Sequence, residues 1–211
     1  MNQAQVAIST GLTRPAVISS TLARGAAVVL GSLLVAACAH LSIPLIFTPV
    51  PVTLQTFAVL LLGLALGLAL GPSTAFAALA LYLIEGASGL PVFSPHGPGG
   101  VLHLLGPTGG YLLSYPFAAA LTGLIARRFV RASFASYALS AAAGSLLILG
   151  MGAAWFAVVA HQSVGTALTM TVWPFLPGDA IKVCASAAVA LGFVQLRNRF
   201  RGAGLKDGAG V

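Results

Sequence analysis

The residues best equipped for chemistry are Asp179 and Lys182, three positions apart near the start of an apolar run that ends before Arg197. On a helix, positions i and i+3 share a face. Charged side chains inside an apolar run are costly to hold there and by default mark a ligand or ion site. A carboxylate only accepts hydrogen bonds, and an ammonium only donates them. Together they suit a ligand that carries N–H groups beside a carbonyl or carboxylate. The plainer reading makes Asp179 a helix cap and lets Lys182 reach the membrane interface.

Few other groups compete. Glu85 is the only further acid before Asp207. Gln55 and Thr53 stand where an apolar run begins, and Tyr82, Tyr111, Trp155 and Trp173 stand near the ends of others. Caps and interfacial aromatics account for such positions as well as ligand contacts do. His40, His96, His103 and His161 are scattered, with no H-x-x-x-H pair, so no metal site is expected. No G-x-x-x-x-G-K-[ST] loop exists, so any ATP-driven work needs another subunit.

The elements that position these residues must lie in lipid. Of 211 residues, 58% are hydrophobic and only 6% charged, against about 25% charged in a soluble domain. Mean hydropathy is +1.01. The net charge of +7 comes in short basic clusters between apolar runs. That is a membrane pattern, not the basic face of a nucleic-acid module. Two cysteines exclude a disulfide scaffold.

Helix-breaking Pro and Gly divide the chain into six spans, about 25–46, 52–70, 72–85, 108–126, 132–160 and 179–196. The expected fold is therefore an all-α integral membrane protein, a six-helix bundle with structured outer loops at 86–107 and 161–178. Tails of 1–24 and 197–211 flank it. Pro72 is expected at the first helical position after Gly71. Six spans put both termini on one side, and nine of the ten Lys and Arg fall on that side. The positive-inside rule makes it cytoplasmic. Lys182 is the tenth, alone on the outer side, which argues for placement over chance. Small residues recur every fourth position at Ala23, Ala27 and Gly31, a spacing that lets helices touch, within the chain or on a partner.

Four ordered blocks add a resemblance. Thr48-Pro49-Val50-Pro51-Val52-Thr53-Leu54-Gln55-Thr56-Phe57, Gly89-Leu90-Pro91-Val92-Phe93, Gly106-Pro107-Thr108-Gly109-Gly110-Tyr111-Leu112 and Phe175-Leu176-Pro177-Gly178-Asp179-Ala180-Ile181-Lys182 resemble the BioY family over roughly residues 25–195. These are the biotin-specific membrane subunits (S components) of energy-coupling factor vitamin transporters. The resemblance implies biotin binding near the outer surface of a bacterial inner membrane, with no cofactor and no catalysis. It implies a coupling membrane subunit that docks on span one through Ala23, Ala27 and Gly31, and two cytoplasmic ATPases. It assigns ligand contacts to Asp179 and Lys182, with help from the 86–107 loop. Biotin's chemistry fits. Asp179 can accept its ureido N–H groups, and Lys182 can meet either the ureido oxygen or the carboxylate. Phe93, Tyr111 and Trp173 can wall the apolar rings. Glu85, Gln55 and Tyr82 complete the candidate set.

Two rivals come from other classes. Gly86-Ala87-Ser88-Gly89 and Ala160-His161 mimic the motifs of a rhomboid-like intramembrane serine protease. An ion-coupled transporter working through Glu85 or Asp179 is the other. The six-span reading makes a topological prediction: reporter fusions after residues 130 and 205 report cytoplasm, and fusions near 96 and 168 report the outside. A cytoplasmic readout at 96 overturns it.

Overall fold

The computed structural model describes residues 14–207, with side chains over 21–196; the remainder of both tails lies outside the described residues. The fold is mostly helical. Helix α1 covers Arg14–His40, and a hairpin of β1 (Ser42–Leu45) and β2 (Thr48–Thr53) follows. Then come α2 (Gln55–Ala69), α3 (Pro72–Ala87), α4 (Val101–Leu105), α5 (Gly109–Ala126), α6 (Phe134–Val159), α7 (Val164–Thr171) and α8 (Leu176–Asp207).

Among the described residues, four helical segments are long and apolar enough to cross a membrane: Thr21–His40, Gly109–Ala126, Phe134–Val159 and Leu176–Leu196. Helices α2 and α3 are apolar but have only 15 and 16 residues, about 22–24 Å at 1.5 Å per residue.

The local rules are visible at the breaks. Gly71 takes φ 106°, a region that strongly favours glycine, and Pro72 opens α3 as expected. Ser133 caps α6 in a capping box with Ser136, and Ser163 caps α7 by accepting from the Thr166 N–H. Two expectations need correction. Helix α1 ends at His40 instead of running to about 46, and the fold is not purely helical, because residues 42–53 pair as an antiparallel hairpin. Pro44, Pro49 and Pro51 fit there because both strands are edge strands.

Packing centres on α2 and α5. Helix α2 touches α1, α3, α5, α6 and α8, whereas α5 touches α2, α3, α4 and α6. Two thirds of α5 is buried. The two helices cross at glycines: a Cβ on Gly67 would fall 2.6 Å from the Cα of Gly123, and one on Gly63 2.8 Å from the Ala119 carbonyl. Such contact replaces the missing hydrophobic drive between helices in lipid.

The stripe on α1 does not behave as one surface. Gly31 is buried, with its missing Cβ 3.0 Å from that of Ala78 on α3, whereas Ala27 is half-buried and Ala23 exposed. Gly31 therefore packs internally, and the outward face carries Leu22, Val29, Leu30 and Leu33. Gly123→Leu should push α2 and α5 apart and cost about 1–3 kcal/mol or more. Thermal unfolding in detergent checks this against Gly25→Leu, where nothing lies within 4 Å and stability should hold.

Candidate functional site

A half-open cavity lies at the end of the bundle opposite the Gly71 turn and Arg127. It encloses about 620 Å³ of non-atom space, part of it open to solvent. Its walls come from the hairpin, the loop before α5, and helices α2, α5, α6 and α8. The hairpin gives Val50, Pro51 and Thr53, and α2 gives Gln55 and Thr56. The loop before α5 gives Ser94, His96, His103 and Thr108. Helix α5 adds Tyr111, Leu112 and Tyr115, and α6 adds Ile148 and Leu149. Phe175, Asp179 and Lys182 close the far wall.

The charged pair is the core of the site. Lys182 Nζ stands 3.6 Å from Asp179 Oδ1, and both side chains are largely buried. Asp179 Oδ2 accepts a hydrogen bond from Ser145 Oγ on α6. Asp179 also sits in the first turn of α8, where the helix dipole favours a carboxylate. One face of the pair is thus held by protein, and the other looks into the cavity.

Gln55 lines the cavity on α2 and is tied on two sides. Its Nε2 donates to Tyr82 Oη at 2.6 Å, and its Oε1 accepts from Thr53 Oγ1 at 3.0 Å. Tyr82 in turn donates to the Val92 carbonyl at 3.2 Å. Phe93 folds back onto Gly86, leaving no space for a Cβ there. Its ring meets Tyr82 edge-on at 5.4 Å and His103 at 5.1 Å. Tyr82 and Phe93 therefore form a layer behind the wall instead of the wall itself.

The glycine-proline block before α5 has a steric explanation. Gly109 lies under the Leu104 carbonyl and Gly110 against Trp155, and neither leaves room for a Cβ. Trp155 Nε1 donates to the Gly106 carbonyl at 2.9 Å. Tyr111 packs its ring on Gly152 and donates to the Thr171 carbonyl at 2.6 Å. These contacts pin the start of α5 to α6 and α7 and aim Tyr111 at the cavity.

His103 is 5% exposed. Burial holds its imidazole below the ordinary value of 6.5, and the bond to the Pro98 carbonyl opposes that only in part.

Of the residues expected from sequence, Asp179, Lys182, Gln55 and Tyr111 line the cavity, and Tyr82 and Phe93 support it. Two stand elsewhere. Glu85 is half-buried at the α1–α3 seam, where it accepts from Ser32 Oγ. Trp173 is 64% exposed. Ser88 and His161 lie on separate loops, and neither lines the cavity. Ser145, Thr56, His103 and Tyr115 were not anticipated. For Ser145 the available signal was a hydroxyl in the middle of an apolar span.

Fold and site together define a multi-pass membrane protein with a half-open, mostly apolar cavity that holds a charged pair at one end of its bundle. The BioY family profile matches residues 9–199, and the chain belongs to that family. It is 39% identical over 158 residues to the biotin transporter BioY of Thermotoga maritima, covering 75% of this chain and 88% of that protein. It is 38% identical over 142 residues to a probable biotin transporter BioY of Pyrococcus horikoshii, covering 67% and 79%. A crystal structure of the S-component for biotin from an ECF-type ABC transporter shares the fold, with a TM-score of 0.74 at 23% identity over 88% of this chain and 95% of that one.

Ser145→Ala removes a hydrogen bond to a buried carboxylate. The expected cost is about 1.5–3 kcal/mol, read as a lower unfolding temperature in detergent. In an Asp179→Asn background the same change should cost less, because the acceptor is no longer charged.

Proposed function

We propose that this chain captures biotin from the outer side of a bacterial inner membrane and mediates its uptake as the solute-binding subunit of an energy-coupling factor transporter. The observation that carries this reading is the Asp179–Lys182 pair facing the cavity of a BioY-family chain. The relatives are named biotin transporters. The cavity is partly open to solvent, with the charged pair on its wall. Its mostly apolar wall suits biotin's fused rings, and Asp179 can accept ureido N–H groups. Lys182 can donate to the ureido oxygen or attract the carboxylate.

The membrane arrangement belongs to the same proposal. Helices α1, α2, α3, α5, α6 and α8 are the six spans, with both termini cytoplasmic and the cavity outside. Helices α2 and α3 are short for a bilayer core of about 30 Å, and the Gly71 turn joins them as a pair. Energy comes from a coupling membrane subunit and two ATPases. Within α1, Ala23 is left on the outward face to meet that subunit, with Ala27 beside it.

Asp179→Ala and Lys182→Ala should each weaken biotin binding roughly ten- to hundredfold while yielding folded, membrane-inserted protein. The basis is a charge-assisted hydrogen bond of about 1.5–3 kcal/mol at about 1.4 kcal/mol per tenfold. The double variant should be less than additive. Biotin methyl ester separates the two roles of Lys182: undiminished binding excludes the carboxylate as its partner. If Lys182→Ala binds biotin as tightly as the parent, the pair is not the site.

A further inference from the structure

His103 offers the cavity a second hydrogen-bonding group that the charged pair does not supply. It lies on α4, within the loop that closes the cavity's mouth. Its Nδ1 is 2.9 Å from the Pro98 carbonyl. A carbonyl only accepts, so Nδ1 carries the proton, and in the neutral ring Nε2 is then an acceptor. The ring has little freedom. Phe93 packs on it at 5.1 Å, and a Cβ on Gly97 would come within 2.8 Å of it. The residue is 5% exposed and lines the cavity. Among the described residues, no group donates to Nε2.

Nε2 is not among the fully buried polar atoms left without a partner, so it keeps accessible surface at the cavity wall; a ligand that covers it without supplying a donor destabilises the complex. Ionised biotin has only two donors, both ureido N–H groups. Asp179 is already engaged by Ser145 on one oxygen and by Lys182 on the other, so it need not serve both.

We propose that His103 is a specificity-determining residue whose Nε2 accepts a hydrogen bond from a ureido N–H of bound biotin. This rests on the biotin-binding reading above. It deepens that reading by giving the ligand's second donor a partner across the cavity from α8. A solute of similar shape without that N–H would leave Nε2 desolvated and bind less well.

Two substitutions separate this role from a structural one. In His103→Asn the amide can still donate to the Pro98 carbonyl, but no atom reaches the place of Nε2. In His103→Gln the amide oxygen reaches that place and the Pro98 bond is given up. Equilibrium binding of radiolabelled biotin to the purified full chain is the measurement. His103→Asn should bind about tenfold more weakly than the parent, and His103→Gln within about threefold of it, on the strength of one neutral hydrogen bond. A purely structural role predicts the reverse order.

The pH profile gives a second readout. The bound state favours the neutral ring, and burial already holds its pKa below the ordinary 6.5, so the parent's affinity should fall only as pH drops below that lowered value. The difference between the parent and His103→Gln isolates this from the other titratable groups nearby. These are His96 on the same loop, Tyr111 and Tyr115 on α5, Asp179 and Lys182 on α8, and Tyr82 and Glu85 on α3. Unchanged affinity in His103→Asn overturns the contact. So does a parental affinity that rises on acidification and loses that rise in His103→Gln, which would mark an imidazolium paired with the ligand's carboxylate. A parent that binds no biotin at any pH overturns the proposed function and this contact with it.

Discussion

A carboxylate and an ammonium kept inside an apolar bundle set the terms for everything around them. Neither Asp179 nor Lys182 can be buried alone without a desolvation penalty of several kcal/mol. Their mutual contact at 3.6 Å offsets part of it, and the Ser145 hydroxyl and the first turn of α8 offset more. What is left over points into the cavity. On the proposed reading, this leaves a ground state that a ligand with complementary donors and acceptors would complete. Such a pair discriminates well, because an analogue lacking one polar group leaves a charge unmatched in a poorly solvating place.

The opposite end of the bundle shows why the cavity lies where it does. Gly63 and Gly67 bring α2 onto Ala119 and Gly123 of α5, and Gly144 brings α6 onto Thr122. At that level the backbones touch, and no ligand could enter. Eight to twelve residues before Gly123 on α5, about 12–18 Å along the axis, the same helix presents Tyr115 and Tyr111 to the cavity. Close contact at one end holds the helices together, so the other end can remain open without relying on the ligand for stability. Gly152 and Gly110 repeat the device nearer the site, where they fix Tyr111 and Trp155 in place of letting them fill the space.

Much of this was legible in the sequence, for identifiable reasons. Composition named the solvent, and Gly71-Pro72 named a turn. The charged pair three residues apart in an apolar run pointed to two residues that line the cavity. The hairpin was not legible. Pro44, Pro49 and Pro51 speak against strands in general, and only a two-stranded ribbon with two edges tolerates all three. Glu85 was misplaced because its partner, Ser32, is 53 residues away; helix position alone says nothing of which neighbour a side chain meets. Trp173 lies next to cavity residues in sequence but outside the cavity in space. The Ala23, Ala27 and Gly31 spacing suggests one stripe, yet spacing cannot say whether it faces α3 or the outside, and Gly31 faces α3 while Ala23 is exposed.

The mouth of the cavity illustrates a limit on what helices can do. A span presents one stripe to its neighbours, and in lipid its backbone groups are used up within the helix. A ring of spans can therefore wall a ligand laterally but not cover it. The cover here is built from short pieces that each satisfy their own backbone, the β1–β2 ladder and the single turn of α4, with the two turns of α7 packed against β2 and α6. Only such pieces can lie across the helix ends without stranding N–H and C=O groups at the membrane surface. They also bring in residues that no span could offer from above, Val50 and Pro51 from the ribbon and His103 from α4. The charged pair lies on a span, where burial holds it, and Gln55, Thr56 and Tyr111 also reach the cavity from spans, whereas Ser94, His96 and His103 reach it from the cover.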